Sequence, residues 1–70
     1  MLLPRLYPIL DAAYFPTSSS LYSAAEQLAQ AGATLLQYRN KSGNARQMLE
    51  HARELKRLTG SRVQWIMNDR

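Results

Sequence analysis

The stretch Ala33-Thr34-Leu35-Leu36-Gln37-Tyr38-Arg39-Asn40-Lys41 decides how this chain is read. It opens as an apolar run and closes on three alternating polar residues, Gln37, Arg39 and Lys41. A strand repeats every second residue, so an extended backbone puts these three on one face and leaves Leu36 and Tyr38 on the other. Two cations and an amide pointing the same way from the C-terminal end of a strand suit a phosphate or pyrophosphate group. Guanidinium and ammonium groups bind such oxygens through charge-assisted hydrogen bonds. A second apolar run, Val63 to Met67, also ends in polar residues, Asn68, Asp69 and Arg70.

Between the two runs lies the clearest helical period in the chain, Ala45 to Thr59. Ala45, Met48, Leu49, Ala52, Leu55 and Leu58 form its expected buried face, with Arg46, Glu50, Arg53, Glu54 and Arg57 mostly opposite. Gly60 ends it, and Ser42 or Asn44 caps its start after the turn Lys41-Ser42-Gly43. Upstream, Leu21, Ala24, Ala25 and Leu28 have the spacing of one apolar stripe and predict a helix over 21–31. Ser20 is its expected N-cap, and Gly32 sits where a left-handed residue belongs after the last turn. Tyr14 to Ser20 reads as a loop, broken by Pro16 and a serine run. Leu6-Tyr7-Pro8-Ile9-Leu10 is a first short strand in which Pro8 is a defect, since proline cannot donate to a ladder. Asp11 follows at its end.

The predicted order is β-α-β-α-β, with strands near 6–10, 33–39 and 63–67 and helices near 21–31 and 45–59. Alternation of this kind implies a parallel sheet with crossover helices. Polar groups at the C-terminal strand ends fit a (β/α)8 barrel or a doubly wound sheet, both of which place ligands at that edge. No glycine-rich nucleotide loop follows any strand. Three parallel strands would leave two unpaired edges and an uncovered apolar face. A (β/α)8 barrel usually takes about 250 residues, so the 70 residues here are expected to be the opening part of a larger domain.

Composition narrows the class. With no cysteine there is neither a disulfide framework nor a thiolate metal site. Nine basic residues face five acidic ones, a formal charge of +4, but the cations are spread along the chain and only Arg53, Lys56 and Arg57 cluster. That scatter argues against nucleic acid as a partner. No run is long enough to cross a membrane and no secretion signal is evident, so a cytoplasmic location is expected.

Leu35-Leu36-Gln37-Tyr38-Arg39-Asn40-Lys41 resembles the strand-end signature Q-x-R-x-K of the thiamine phosphate synthase family, and Asn68-Asp69-Arg70 resembles the N-D-R that ends that family's next strand. The opening strand from Leu6-Tyr7 to Asp11 and the small segment Ala31-Gly32-Ala33 are similar as well. The resemblance spans nearly all of this chain but only about the first third of a family member. It implies the opening β-α-β-α-β segment of a (β/α)8 TIM barrel. It also implies a magnesium-dependent transferase that joins 4-amino-2-methyl-5-(diphosphooxymethyl)pyrimidine to thiazole phosphate, giving thiamine phosphate and pyrophosphate. Carried over by position, Gln37, Arg39, Lys41 and Asn68 would hold the pyrimidine diphosphate and Asp69 would coordinate Mg²⁺. Many relatives carry an acidic residue where this chain has Asn40, and Pro8 and Leu10 also depart from the pattern. The second metal carboxylate and the thiazole-phosphate and glycine-rich phosphate sites are absent, so this segment alone is expected to be inactive. The resemblance leaves room for a homo-oligomer.

Plainer readings stand beside these. Without the resemblance Arg39 and Lys41 would be solvated charges after a strand, and Asp69 a helix cap or an arginine's partner. His51 is expected at the surface or boundary of its helix, Trp65 in the core, Tyr7 in packing, and Arg70 in a supporting role. The serine run has no base placed to make a nucleophile. A thiazole tautomerase-type relative on the same barrel needs no pyrimidine diphosphate site, so the joint presence of Gln37, Arg39, Lys41, Asn68 and Asp69 weighs against it. A non-catalytic small basic binding module, complete as it stands, is the remaining alternative.

Overall fold

The computed structural model describes residues 7–68. Three parallel strands pair in chain order: β1 (Ile9–Asp11), β2 (Leu35–Arg39) and β3 (Gln64–Asn68). Two helices, α1 (Ser18–Gln30) and α2 (Ala45–Thr59), connect them. This is the predicted alternation, and its departures lie at element ends. Leu6 falls outside the described residues, and Pro8 precedes the strand instead of joining it. Its carbonyl still accepts the Gln37 N–H at 3.1 Å, so proline is tolerated where only an acceptor is needed. The N–H of Ala33 is spent on Leu28 O and that of Gly32 on Ala29 O, which closes α1 in a Schellman motif. β2 therefore starts two residues later than the apolar run suggests. Gly32 has φ +104°, the left-handed conformation expected there.

The start of α1 corrects the sequence reading. The helix begins at Ser18, not Leu21, and the N-cap is Thr17, not Ser20. Thr17 Oγ1 accepts the Ser20 N–H at 3.1 Å, and Ser20 Oγ accepts the Thr17 N–H at 3.3 Å. This is a reciprocal capping box in which a serine does the work of the usual acid or amide. The serines thus sit inside the first turn, and a 3₁₀ turn over Ala12–Tyr14 takes up part of the expected loop. Asn44, one of the two expected caps, starts α2 through the Gln47 N–H at 3.0 Å.

Register partners in a parallel sheet share a face. Leu10 and Tyr38 pair, as do Leu36 and Trp65, and both helices pack on that side. Leu10, Leu21, Ala25, Tyr38 and Leu55 form one core cluster, and Ala29, Leu36 and Val63 a second. Trp65 packs against both, and its indole N–H donates to the buried Thr59 hydroxyl at 3.0 Å. The opposite face carries Ile9, Gln37 and Ile66 side by side. Ile9 is 53% exposed and Ile66 37%, because no element of the described chain covers them. Met67, the register partner of Tyr38 on the helix side, is also 40% exposed, so of this strand's apolar run only Trp65 is packed by the described residues.

The buried stripe of α2 is also rotated from the expected one. Leu49 is 52% exposed and Ala45 lies at the surface, while His51 (4% exposed) and Thr59 are buried beside Leu55. Met48, His51, Ala52 and Leu55 keep the i, i+3, i+4, i+7 spacing, so the period was right and the polar member of the stripe was passed over. His51 tolerates burial because both ring nitrogens have partners.

Candidate functional site

The pairing of β1, β2 and β3 lines up the C-terminal strand ends. Asp11, Arg39 and Asn68 are successive register partners, so all three stand on one face at one level of the sheet. One step toward the N-terminal ends, Gln37 lies between Ile9 and Ile66 on the same face. The alternation read from the sequence therefore holds for Gln37 and Arg39, and strand pairing sets Asn68, also expected at this edge, beside Arg39. Gln37 is buried and its Oε1 accepts the Tyr7 hydroxyl at 3.3 Å, a polar contact for a residue expected only to pack. Arg39 and Asn68 are partly buried.

Lys41 is placed differently. It lies past the end of β2 on the turn into α2 and is exposed. With Asn40, Ser42, Gln47, Ala12 and Ala13 it lines a cleft of about 340 Å³ between that turn and the 3₁₀ segment after β1. Gln37, Arg39 and Asn68 do not line this cleft. Strand geometry brings Gln37, Arg39 and Asn68 to one face, whereas Lys41 owes its position to the turn. Asp69 and Arg70 lie outside the described residues. Asp11 was noted in the sequence only as a strand end. Its place beside Arg39 comes from β1–β2 pairing, and its carboxylate also accepts the Ala13 N–H at 3.0 Å, capping the 3₁₀ turn.

Behind the rim, on the helix-covered face, runs a chain of polar groups whose middle members, His51, Tyr38 and Asn40, are buried and whose ends, Ser18 and Gln47, reach toward the surface. Ser18 Oγ meets His51 Nε2 at 3.0 Å, and His51 Nδ1 meets the Tyr38 hydroxyl at 2.6 Å. Asn40 Nδ2 donates to that hydroxyl at 2.8 Å and to Gln47 Oε1 at 3.0 Å. The chain links α1, α2, β2 and the Lys41 turn, and no described buried side-chain polar atom lacks a partner. Burial pushes the His51 imidazole below its ordinary value, with Glu50 pulling weakly the other way, and burial pushes the Tyr38 phenol up. A second cavity, of about 170 Å³, opens beside His51 and Ser18 under Phe15 and Leu21. Sequence reasoning missed this chain because its members are far apart along the polypeptide.

Among the described residues no three His, Cys, Asp or Glu side chains gather in a way that could hold a metal ion. None of the described helices is long and apolar enough to cross a membrane.

Comparison with known proteins bears on the same residues. The family described as thiamine monophosphate synthase matches residues 6–70. The chain is 52% identical to the thiamine-phosphate synthase of Koribacter versatilis, over 97% of its own length and 34% of that relative. It is 40% identical to the thiamine-phosphate synthase of Saccharophagus degradans, over 91% of this chain and 30% of that relative. The thiamine-phosphate synthase of Chloroflexus aurantiacus is 42% identical, over 94% of this chain and 31% of that protein. The chain thus spans about a third of the curated relatives it matches. No solved structure matches.

Proposed function

Because the chain belongs to the thiamine monophosphate synthase family, we propose that its protein is a transferase joining the two halves of thiamine. The pyrimidine substrate, 4-amino-2-methyl-5-(diphosphooxymethyl)pyrimidine, gives up pyrophosphate. The ring nitrogen of thiazole phosphate attacks the pyrimidine methylene, and the product is thiamine phosphate. The observation that carries this reading is the register of β2 and β3, which sets Arg39 beside Asn68 with Gln37 on the same face below them.

In this reading Arg39 and Lys41 grip the diphosphate, Gln37 and Asn68 add hydrogen bonds, and the thiazole substrate is held by parts of the protein beyond this segment. A departing pyrophosphate develops negative charge, and fixed cations at its oxygens favour that charge most where it appears. Arg39 suits the task because its planar guanidinium can donate two parallel hydrogen bonds to one phosphate. Strand placement lets it do so with little reorganisation.

Magnesium fits the donor chemistry of the rim. Asn68 and the Asp69 that follows it offer hard oxygen ligands, and Mg²⁺ usually takes one or two carboxylates with phosphate oxygens and water completing its shell. When bound, the ion would neutralise charge on the diphosphate. Asp69 is the residue we assign to hold it.

We further assign the segment to the start of a (β/α)8 barrel. The consecutive parallel order supports this, as does the placement of both helices on one face with Ile9 and Ile66 left uncovered on the other. A cytoplasmic location and small-molecule substrates as the partners follow from the biosynthetic role.

The test is to supply the full-length protein with both substrates and Mg²⁺ and to measure thiamine phosphate. Product should form, and Arg39→Ala should lower kcat/KM by at least about 100-fold, the scale of losing one charge-stabilising donor. A parent protein that makes no product, or an Arg39→Ala variant of near-parent rate, would overturn the assignment. A tautomerase-type relative would bind no pyrimidine diphosphate in the same experiment.

A further inference from the structure

We propose that Asn40 is the positioning residue that sets Lys41 for its anion, an inference that rests on the diphosphate-binding role proposed above. Asn40 is 2% exposed, and its amide is committed to protein partners. Nδ2 donates to Tyr38 and Gln47, and Oδ1 accepts the Ser42 N–H at 2.8 Å. Its own N–H donates to Asn68 O at 3.0 Å, tying the end of β2 to the end of β3. A side chain so engaged does not reach a ligand and acts through what it holds.

What it holds is the backbone on both sides of Lys41. The residue before is anchored by three hydrogen bonds of Asn40, to Tyr38, Gln47 and Asn68, and the residue after by its fourth, the Oδ1 bond to Ser42. Ser42 Oγ in turn accepts the Asn44 N–H at 3.1 Å, and Asn44 caps α2. Gly43, at φ +77°, supplies the left-handed residue that lets the chain turn so tightly. Lysine is a flexible side chain with a large rotamer entropy, and ordering it on a mobile loop would cost binding free energy. Clamping the turn fixes the point from which the lysine side chain departs, at the edge of the cleft, before the anion arrives.

The donor pattern also explains how an acid could stand at this position. A carboxylate keeps the acceptor for the Ser42 N–H, which is the bond that shapes the turn. It would take the Tyr38 proton instead of donating to the phenol, and the Gln47 amide would turn its NH₂ toward the carboxylate, so that the chain reverses.

The experiment is a double-mutant cycle on the full-length protein, read by calorimetric titration with inorganic pyrophosphate in Mg²⁺. Asn40→Ala should weaken binding roughly 10-fold, yet under about 2-fold in a Lys41→Ala background, because the two changes remove the same interaction. Asn40→Asp should stay within about 3-fold of the parent, since it keeps the Ser42 acceptor. Equal losses in both backgrounds, an Asn40→Asp variant as weak as Asn40→Ala, or a parent that does not bind pyrophosphate would overturn the proposal. Should Asn40→Ala not fold, Gln47→Ala cuts one tie and is read through the same cycle. Its loss should again vanish without Lys41, and an equal loss overturns the proposal. A synthase assay on the parent separates the two failures. Product formation with additive losses rejects the clamp alone, and absence of product rejects the assigned reaction.

Discussion

The hydroxyl of Tyr38 stands 2.6 Å from Nδ1 of His51 inside the core, and the direction of that hydrogen bond follows from its neighbours. Asn40 Oδ1 accepts a backbone N–H, so Nδ2 is the end of the amide that faces Tyr38. An NH₂ group only donates, and the phenol must send its proton elsewhere. His51 Nδ1 is the acceptor available, so the neutral imidazole carries its proton on Nε2 and donates to Ser18. This tautomer also disposes of a serine-nucleophile reading for Ser18, because a base would need a free lone pair on Nε2.

Replacing His51 by leucine fills a similar volume but leaves the Tyr38 proton without its acceptor in the core. The expected cost is about 1–3 kcal/mol, the penalty of a buried polar group left unmade. Tyr38→Phe in the same background should recover part of it. Chemical denaturation of the full-length protein measures both.

Stability should fall in acid through the same residue. The folded state holds His51 below its ordinary value, so it binds fewer protons there than the unfolded chain does. The His51 contribution is therefore complete above about pH 6.5, the unfolded value, and is lost as the pH drops below it. Melting temperature recorded from pH 8 to pH 5 should show this slope, and His51→Leu should flatten it.

Gly32→Ala isolates a backbone effect. A Cβ at this position meets nothing within 4 Å, so no side chain is displaced. The cost comes from holding alanine at φ +104° and is expected at about 1 kcal/mol or more. An unchanged denaturation midpoint would mean that the end of α1 rearranges.

Ile66 tests the proposed barrel. On the described segment it is partly exposed, and Ile66→Asp would be mild if that face stays open. In a closed barrel the carboxylate would be buried without a partner, at a cost of several kcal/mol. Comparing the unfolding of full-length parent and variant distinguishes the two.

The order of elements and the faces of β2 are legible along the chain, because period-two alternation needs no knowledge of neighbours. The stripe of α2 is legible too in spacing, though not that His51 belongs to it, since hydropathy counts histidine as polar wherever its partners lie. Tertiary structure alone decided that Arg39 stands between Asp11 and Asn68, which depends on strand register, a relationship between segments far apart in the chain. It likewise decided that Thr17 starts α1, since a serine run reads as a loop until Ser20 folds back on the Thr17 amide. Local periodicity is written along one segment and can be read there. Register, burial of a polar ring and the direction of a proton arise from pairs of segments and exist only once those segments meet.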